Sequence, residues 1–154
     1  MKISECMKRS VVSIAEASTI REAAAVFVRY HVGLLPVIDG ENRLVGVVGL
    51  QDLLTLELPD FVRFIGDLDF VHDFGAVETT RPPAEVLDQP VRTLMKQPIT
   101  VHEDSGLLRA YALLLQHHLH DMPVVSHDGR LLGVASRVDI GTAILSAWSR
   151  VEQR

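Results

Sequence analysis

The chain has 154 residues and one cysteine, Cys6, so no intrachain disulfide can form, which fits a reducing compartment. Aromatic residues make up only 5% of it against 47% hydrophobic residues overall, so the core must be built from Val, Leu, Ile and Ala. It holds no apolar run of the roughly 18 residues needed to span a bilayer. The N-terminal MKISECMKRS lacks the apolar stretch of a secretory signal. Basic charge is scarce too: the net charge of −5 argues against a nucleic-acid partner, which needs a basic stripe. There is no Gly-Lys-Ser/Thr phosphate loop, no Cys-x-x-Cys pair and no Gly-x-Ser-x-Gly elbow. These absences lead to the expectation of a cytoplasmic, non-catalytic protein with no membrane or nucleic-acid partner.

What the chain does have is a duplication. At an offset of 87, Ile14–Thr55 matches Val101–Thr142 without a gap, and 13 of the 42 positions are identical. Among them are His31/His118, Pro36/Pro123, Gly46/Gly133 and Asp52/Asp139. A unit of about 50 residues is too small to close a good core alone, and two copies do not make an open solenoid. The expected arrangement is therefore two copies packed about a pseudo-twofold axis, with ligand clefts between them.

Each copy predicts the same order, β-α-β-β-α. A short extended stretch (Val11 to Ile14; Ile99 to Val101) leads to a helix, which in copy one opens with a capping box, Thr19-x-x-Glu22. A strand follows in which an apolar residue precedes proline, Leu35-Pro36 and Met122-Pro123. Then come a polar turn, a second strand (Leu44 to Val48; Leu131 to Ala135) and a closing helix near Gln51 or Val138. The predicted domains are residues 1–58 as repeat one, 59–90 as an inserted helical segment and linker, and 91–154 as repeat two with its C-terminal helix. Within the insert, Phe61, Phe64, Ile65, Leu68 and Val71 share one helical face, read as a cover for the core.

The unit, with its Pro strand and a second strand running from Gly46 to Asp52 in one copy and Gly133 to Asp139 in the other, resembles a CBS domain. Two in tandem resemble a CBS pair, or Bateman module. The resemblance implies an α/β (α+β) fold of two β-α-β-β-α repeats. It also implies a regulatory protein that binds AMP, ADP, ATP or S-adenosylmethionine between the repeats, with no cofactor required. On that basis Ser136 and Asp139 would hold ribose and phosphate, with Arg137 supplying a cation. Met122 and Pro123 would flank the adenine, main-chain groups near Thr100 and Val101 would read its edge, and His120 would face the phosphates. Copy one keeps Asp52 but has Gly49 where copy two has Ser136. Its cleft, with Ser13, Leu35 and Pro36, is therefore expected to be the weaker.

The residues also fit the chemistry without the family. A carboxylate accepts from a ribose diol, and a helix start with a hydroxyl and a cation suits phosphate. The same Ser136-x-x-Asp139 spacing equally suits a plain helix cap. Two alternatives thus stay open: a ligand-free interaction module, and a metal-binding protein using His117, His118, His120 and Asp121, where His117 and Asp121 have i, i+4 spacing. The apolar residues of the last helix (Ile140, Ala143, Ile144, Ala147, Trp148, Val151) outrun one core, which leads to the expectation of a homodimer. No effector domain is recognised, so the regulated target is expected to be a separate protein.

Overall fold

The computed structural model describes residues 1–56 and 81–151. The apolar face from Phe61 to Val71 lies outside the described residues. Repeat one contains β1 (Ile14–Ala15), α1 (Ile20–Tyr30), β2 (Leu34–Ile38), β3 (Leu44–Gly49) and α2 (Leu50–Leu54). A short helix α3 (Ala84–Leu87) follows, and then β4 (Val101–His102), α4 (Leu107–Gln116), β5 (Asp121–Val125), β6 (Leu131–Ser136) and α5 (Arg137–Val151). Each repeat thus has a three-stranded sheet, in which the first strand is parallel to the second and the second antiparallel to the third. The predicted order holds in both copies.

Local sequence explains the elements. Thr19 Oγ1 accepts from the Glu22 backbone N–H at 3.1 Å, and Glu22 returns a carboxylate to the Thr19 N–H at 3.2 Å, completing the capping box. The identical pair His31 and His118 both adopt left-handed conformations just past α1 and α4, at φ 51° and 55°. These turns release the chain into β2 and β5. Asn42 and Gly129, equivalent turn residues, also have positive φ.

Strand alternation divides the side chains of β2 and β5. Leu35 and Val37 point into the core of repeat one, and Met122 and Val124 into that of repeat two. Pro36 and Pro123 occupy the opposite face and are fully buried as well. The β2–β3 and β5–β6 turns meet across the axis: Leu44 N–H donates to Gly129 O and Leu131 N–H to Asn42 O, each at 3.0 Å.

The segments ahead of each repeat cross over. A 3-10 turn at Ile3–Glu5 places Ile3 and Met7 in the core of repeat two, beside Val101, Leu107 and Ile140. Its counterpart at Val91–Thr93 places Val91 in the core of repeat one, with Met95 packed against it. Lys8 forms a two-bond bridge with Val134 (2.9 and 3.0 Å), and Lys96 forms the same bridge with Val47 (2.9 and 3.0 Å). Gly133 and Gly46 make room for this. A Cβ on Gly133 would lie 2.6 Å from the Lys8 carbonyl oxygen, and one on Gly46 2.7 Å from the Met95 sulfur. Burying each arm's apolar anchor contributes about 1.5–3 kcal/mol, so the arms tie the two repeats together.

Candidate functional site

Two clefts lie between the repeats, related by the pseudo-twofold axis. The larger, a cavity of about 260 Å³, is lined by Lys8, Val11, Val12, Gly33, Asp121 and Val134 among others. The smaller, about 140 Å³, is lined by Gly49, Asp52, Lys96, Leu119, Asp121 and Pro123 among others. Leu34 and Asp121 line both, so the clefts meet at this pair. Each cleft draws a lysine from a crossed arm and a turn from the repeat that does not hold that arm.

An aspartate at a helix start stands beside each lysine. Asp52 Oδ2 accepts from the Gly49 N–H at 2.7 Å, while its Oδ1 lies 2.6 Å from Lys96 Nζ. Asp139 Oδ2 accepts from the Ser136 N–H at 3.1 Å, and its Oδ1 lies 3.9 Å from Lys8 Nζ. Both carboxylates are mostly covered, at 10% and 16% exposure, while the lysines reach in from solvent. One carboxylate oxygen therefore fixes the helix start and the other faces the cleft cation. Ser136 Oγ accepts from the Asp139 N–H at 3.0 Å, so Ser136 and Asp139 do form a reciprocal cap. The Ser136 hydroxyl keeps its own proton to donate.

Other residues singled out from sequence are placed differently. Leu35 and Met122 are completely buried in the two cores, so their side chains do not flank a ligand ring. The cleft-facing residues are the ones before them, Leu34 and Asp121, because neighbours on a strand point to opposite faces. Val101, expected to act through its main chain, packs its side chain in the core of repeat two and pairs with Val124. Pro123 does line a cleft, but that of Asp52; its counterpart Pro36 is buried on the matching face. Ser13 lies with Val26 and Tyr30 in a shallow hollow that adjoins the larger cleft through Ser10, Val11 and Val12, and Thr100 is half-buried just ahead of β4.

Arg137 is committed elsewhere. Its Nε donates to Leu119 O at 2.6 Å and its Nη2 to Leu114 O at 3.4 Å, capping the end of α4. The cations at the clefts are Lys8 and Lys96, which sequence reasoning missed. The signal was the repeated Met7-Lys8 and Met95-Lys96, at an offset of 88 and so one residue out of step with the ungapped match.

His120 is followed by Asp121 and preceded by Leu119, both of which line the Asp52 cleft; its counterpart Gly33 lines the other. The sequence reading had grouped His120 with Asp139. The His117 and Asp121 pair does not share a helix face, because α4 ends at Gln116, His118 turns left-handed and Asp121 begins β5. Among the described residues, no group of three or more His, Cys, Asp or Glu is placed to hold a metal ion.

Asp121 is electrostatically the least comfortable group at the clefts. Burial pushes its carboxyl above the ordinary range and nearby Asp139 adds to this, while Lys8 and His120 pull it back. No described helix is long and apolar enough to cross a membrane.

Comparison with known proteins shows the family and agrees with the fold. The sequence model of the CBS domain matches residues 3–58 and again 91–146. The chain is 26% identical over 145 residues to an uncharacterized 17.7 kDa protein of Acidianus ambivalens, covering 94% of this chain and 73% of that one. It is 30% identical to the chloroplastic CBS domain-containing protein CBSX2 of Arabidopsis thaliana, covering 90% of this chain and 60% of that protein. The chain spans only 31% and 55% of two Methanocaldococcus jannaschii relatives. The crystal structure of CBSX2 in complex with AMP superposes with a TM-score of 0.71, at 26% identity, over 95% of this chain and 97% of that one. The CBS domain pair of MJ0100, solved with 5'-methylthioadenosine and S-adenosyl-L-methionine, shares the fold at a TM-score of 0.68 and 16% identity, over 96% of this chain and 98% of that one.

Proposed function

Because this chain belongs to the CBS domain family and carries that domain twice, as a tandem pair, we propose that it binds an adenosine-containing ligand between its repeats and regulates a partner protein through the resulting change in shape or assembly. The observation that carries this reading is the aspartate–lysine pair joining a helix start to a crossed arm: Asp52 and Lys96 both line the smaller cleft, and Lys8, the partner of Asp139, lines the larger. The lysine-facing oxygen of Asp139 or Asp52 suits a ribose diol, and the lysine it would release suits a phosphate. CBSX2, solved with AMP, supports the ligand class. The role is regulatory and not catalytic, and the ligand is the signal.

The test is calorimetric titration with AMP, ADP, ATP and S-adenosylmethionine. Binding to at least one, weakened about tenfold or more by Asp139→Ala or Asp52→Ala, supports the reading, since a hydrogen bond to a charged group is worth about 1.5–3 kcal/mol. No heat with any of the four at millimolar concentration refutes it. That result would favour a second reading, an interaction module without ligand, which the complete reciprocal cap at Ser136 and Asp139 also suits.

We further propose that two copies associate through the helical faces. Leu108 on α4 and Leu145 and Trp148 on α5 are exposed, Trp148 at 66%. Leu108 and Trp148 rim a shallow apolar groove with Ile144 and Ala147. Such a surface suits an aromatic-anchored interface. Light scattering at tens of micromolar, giving the mass of one chain, would end that proposal.

A further inference from the structure

The two repeats differ around the clefts at Gly33 and His120, at Gly49 and Ser136, and also where the clefts meet. There repeat one contributes Leu34 and repeat two contributes Asp121, at equivalent positions beginning β2 and β5. Each sits opposite the residue before the closing helix: Leu34 pairs with Gly49 and Asp121 with Ser136. The Ser136 N–H already holds Asp139, so two carboxylates flank one strand end. Lys8, 3.9 Å from Asp139, is the cation these two acids share, with His120 adding positive charge only when protonated. At the other cleft Asp52 pairs with Lys96 at 2.6 Å. The pseudo-symmetry of the backbone is thus broken by charge.

From this geometry we propose that Asp121 is the specificity-determining residue of the clefts, selecting adenosine ligands with neutral or cationic tails over polyphosphates. The proposal rests on the adenosine-binding reading and adds the class of tail that is accepted. A ligand whose adenosine lies along either cleft meets Asp121, since it lines both. A triphosphate brings several negative charges toward a carboxylate that is half covered and shares its cation, so repulsion is poorly screened. A sulfonium or ammonium tail meets attraction at the same point. Burial of the carboxyl at a cost, where repeat one has leucine, marks a functional position.

The experiment measures adenosine, ATP and S-adenosylmethionine binding by calorimetry to the wild type, Asp121→Asn and Asp121→Leu, with circular dichroism to verify folding. Asn removes the charge and keeps the shape; Leu installs the residue of repeat one. Relative to adenosine, both variants are expected to bind ATP about tenfold more tightly and S-adenosylmethionine several-fold more weakly, as expected of a single charge acting in a partly dry site. Equal shifts for all three ligands, or none, would overturn the role of Asp121 while leaving adenosine binding intact. Wild-type protein that binds none of the three would remove the adenosine reading, and this inference with it. A variant that fails to bind adenosine but remains folded would show Asp121 to be a general binding group, which also overturns selectivity.

Discussion

Gly133→Ala tests the crossed arms most directly. The new Cβ would lie 2.6 Å from the Lys8 carbonyl oxygen and 2.8 Å from the Met7 sulfur. Met7 has rotamers to spare, but the carbonyl belongs to a bridge that gives two backbone hydrogen bonds to Val134. Relieving the clash means lifting the arm. Two lost hydrogen bonds cost about 1 kcal/mol each, and partial exposure of Ile3 and Met7 adds about 1–3 kcal/mol more. The expected total is about 3–5 kcal/mol. Gly46→Ala is the internal control: the atoms nearest its Cβ belong to the Met95 side chain, whose sulfur at 2.7 Å can turn away, so the expected cost is about 1–2 kcal/mol. Urea denaturation measures both. Cys6 gives an independent readout, because it sits on the arm, is partly buried and has its thiol pushed up chiefly by that burial. Freeing the arm should lower the thiol toward its ordinary value and speed its labelling by a disulfide reagent in Gly133→Ala alone. Equal stability losses in the two variants, with unchanged labelling of Cys6, would refute the view that the arm clamps repeat two.

Three further outcomes are expected. Ser136→Ala should cost about 1 kcal/mol through loss of its cap on the Asp139 N–H, whereas Gly49→Ser should stabilise by a few tenths of a kcal/mol once Gln51 moves aside, both read from melting curves. Because Asp121 is held above its ordinary value of 3.8, the folded chain keeps that proton to higher pH than the unfolded one, so the group favours folding most in acid and loses this contribution as pH rises through its folded value. Asp121→Asn should accordingly raise the melting temperature at pH 7 and give no gain near pH 3. Trp148→Glu should change stability by less than about 0.5 kcal/mol, since the ring is 66% exposed and covers no core, while light scattering should show loss of any dimer.

The repeat made most of the fold legible. Each copy's helix carried its own start signal or apolar period, and the Pro strands could be found twice, so elements in one copy confirmed those in the other. The Asp pair was legible because it lies inside the ungapped match. What escaped was set by geometry across the repeats. Leu35 and Met122 were expected at a ligand because they precede proline, but strand alternation sends them into the cores and leaves Leu34 and Asp121 outside. Arg137 looked like a phosphate cation from its place beside Ser136, yet the end of α4 lies close enough to take its guanidinium. Neither fact is a property of local sequence.

The arms show why the cleft chemistry had to be missed and why it matters. Lys8 lies only a few residues ahead of β1, so sequence proximity assigns it to repeat one, while its backbone bridges repeat two and its side chain reaches Asp139. Lys96 does the converse with repeat one and Asp52. A ligand that takes the lysine-facing aspartate oxygen therefore competes with the contact between an arm and the repeat that holds it. Since the arm's other end leads into the opposite repeat, loosening or tightening that contact acts on the packing of both repeats at once. A cleft built within a single repeat would lack this coupling. The exchange of arms would give the proposed ligand leverage over the whole pair, and Gly133 and Gly46, by admitting the arms, are the residues on which that leverage would depend.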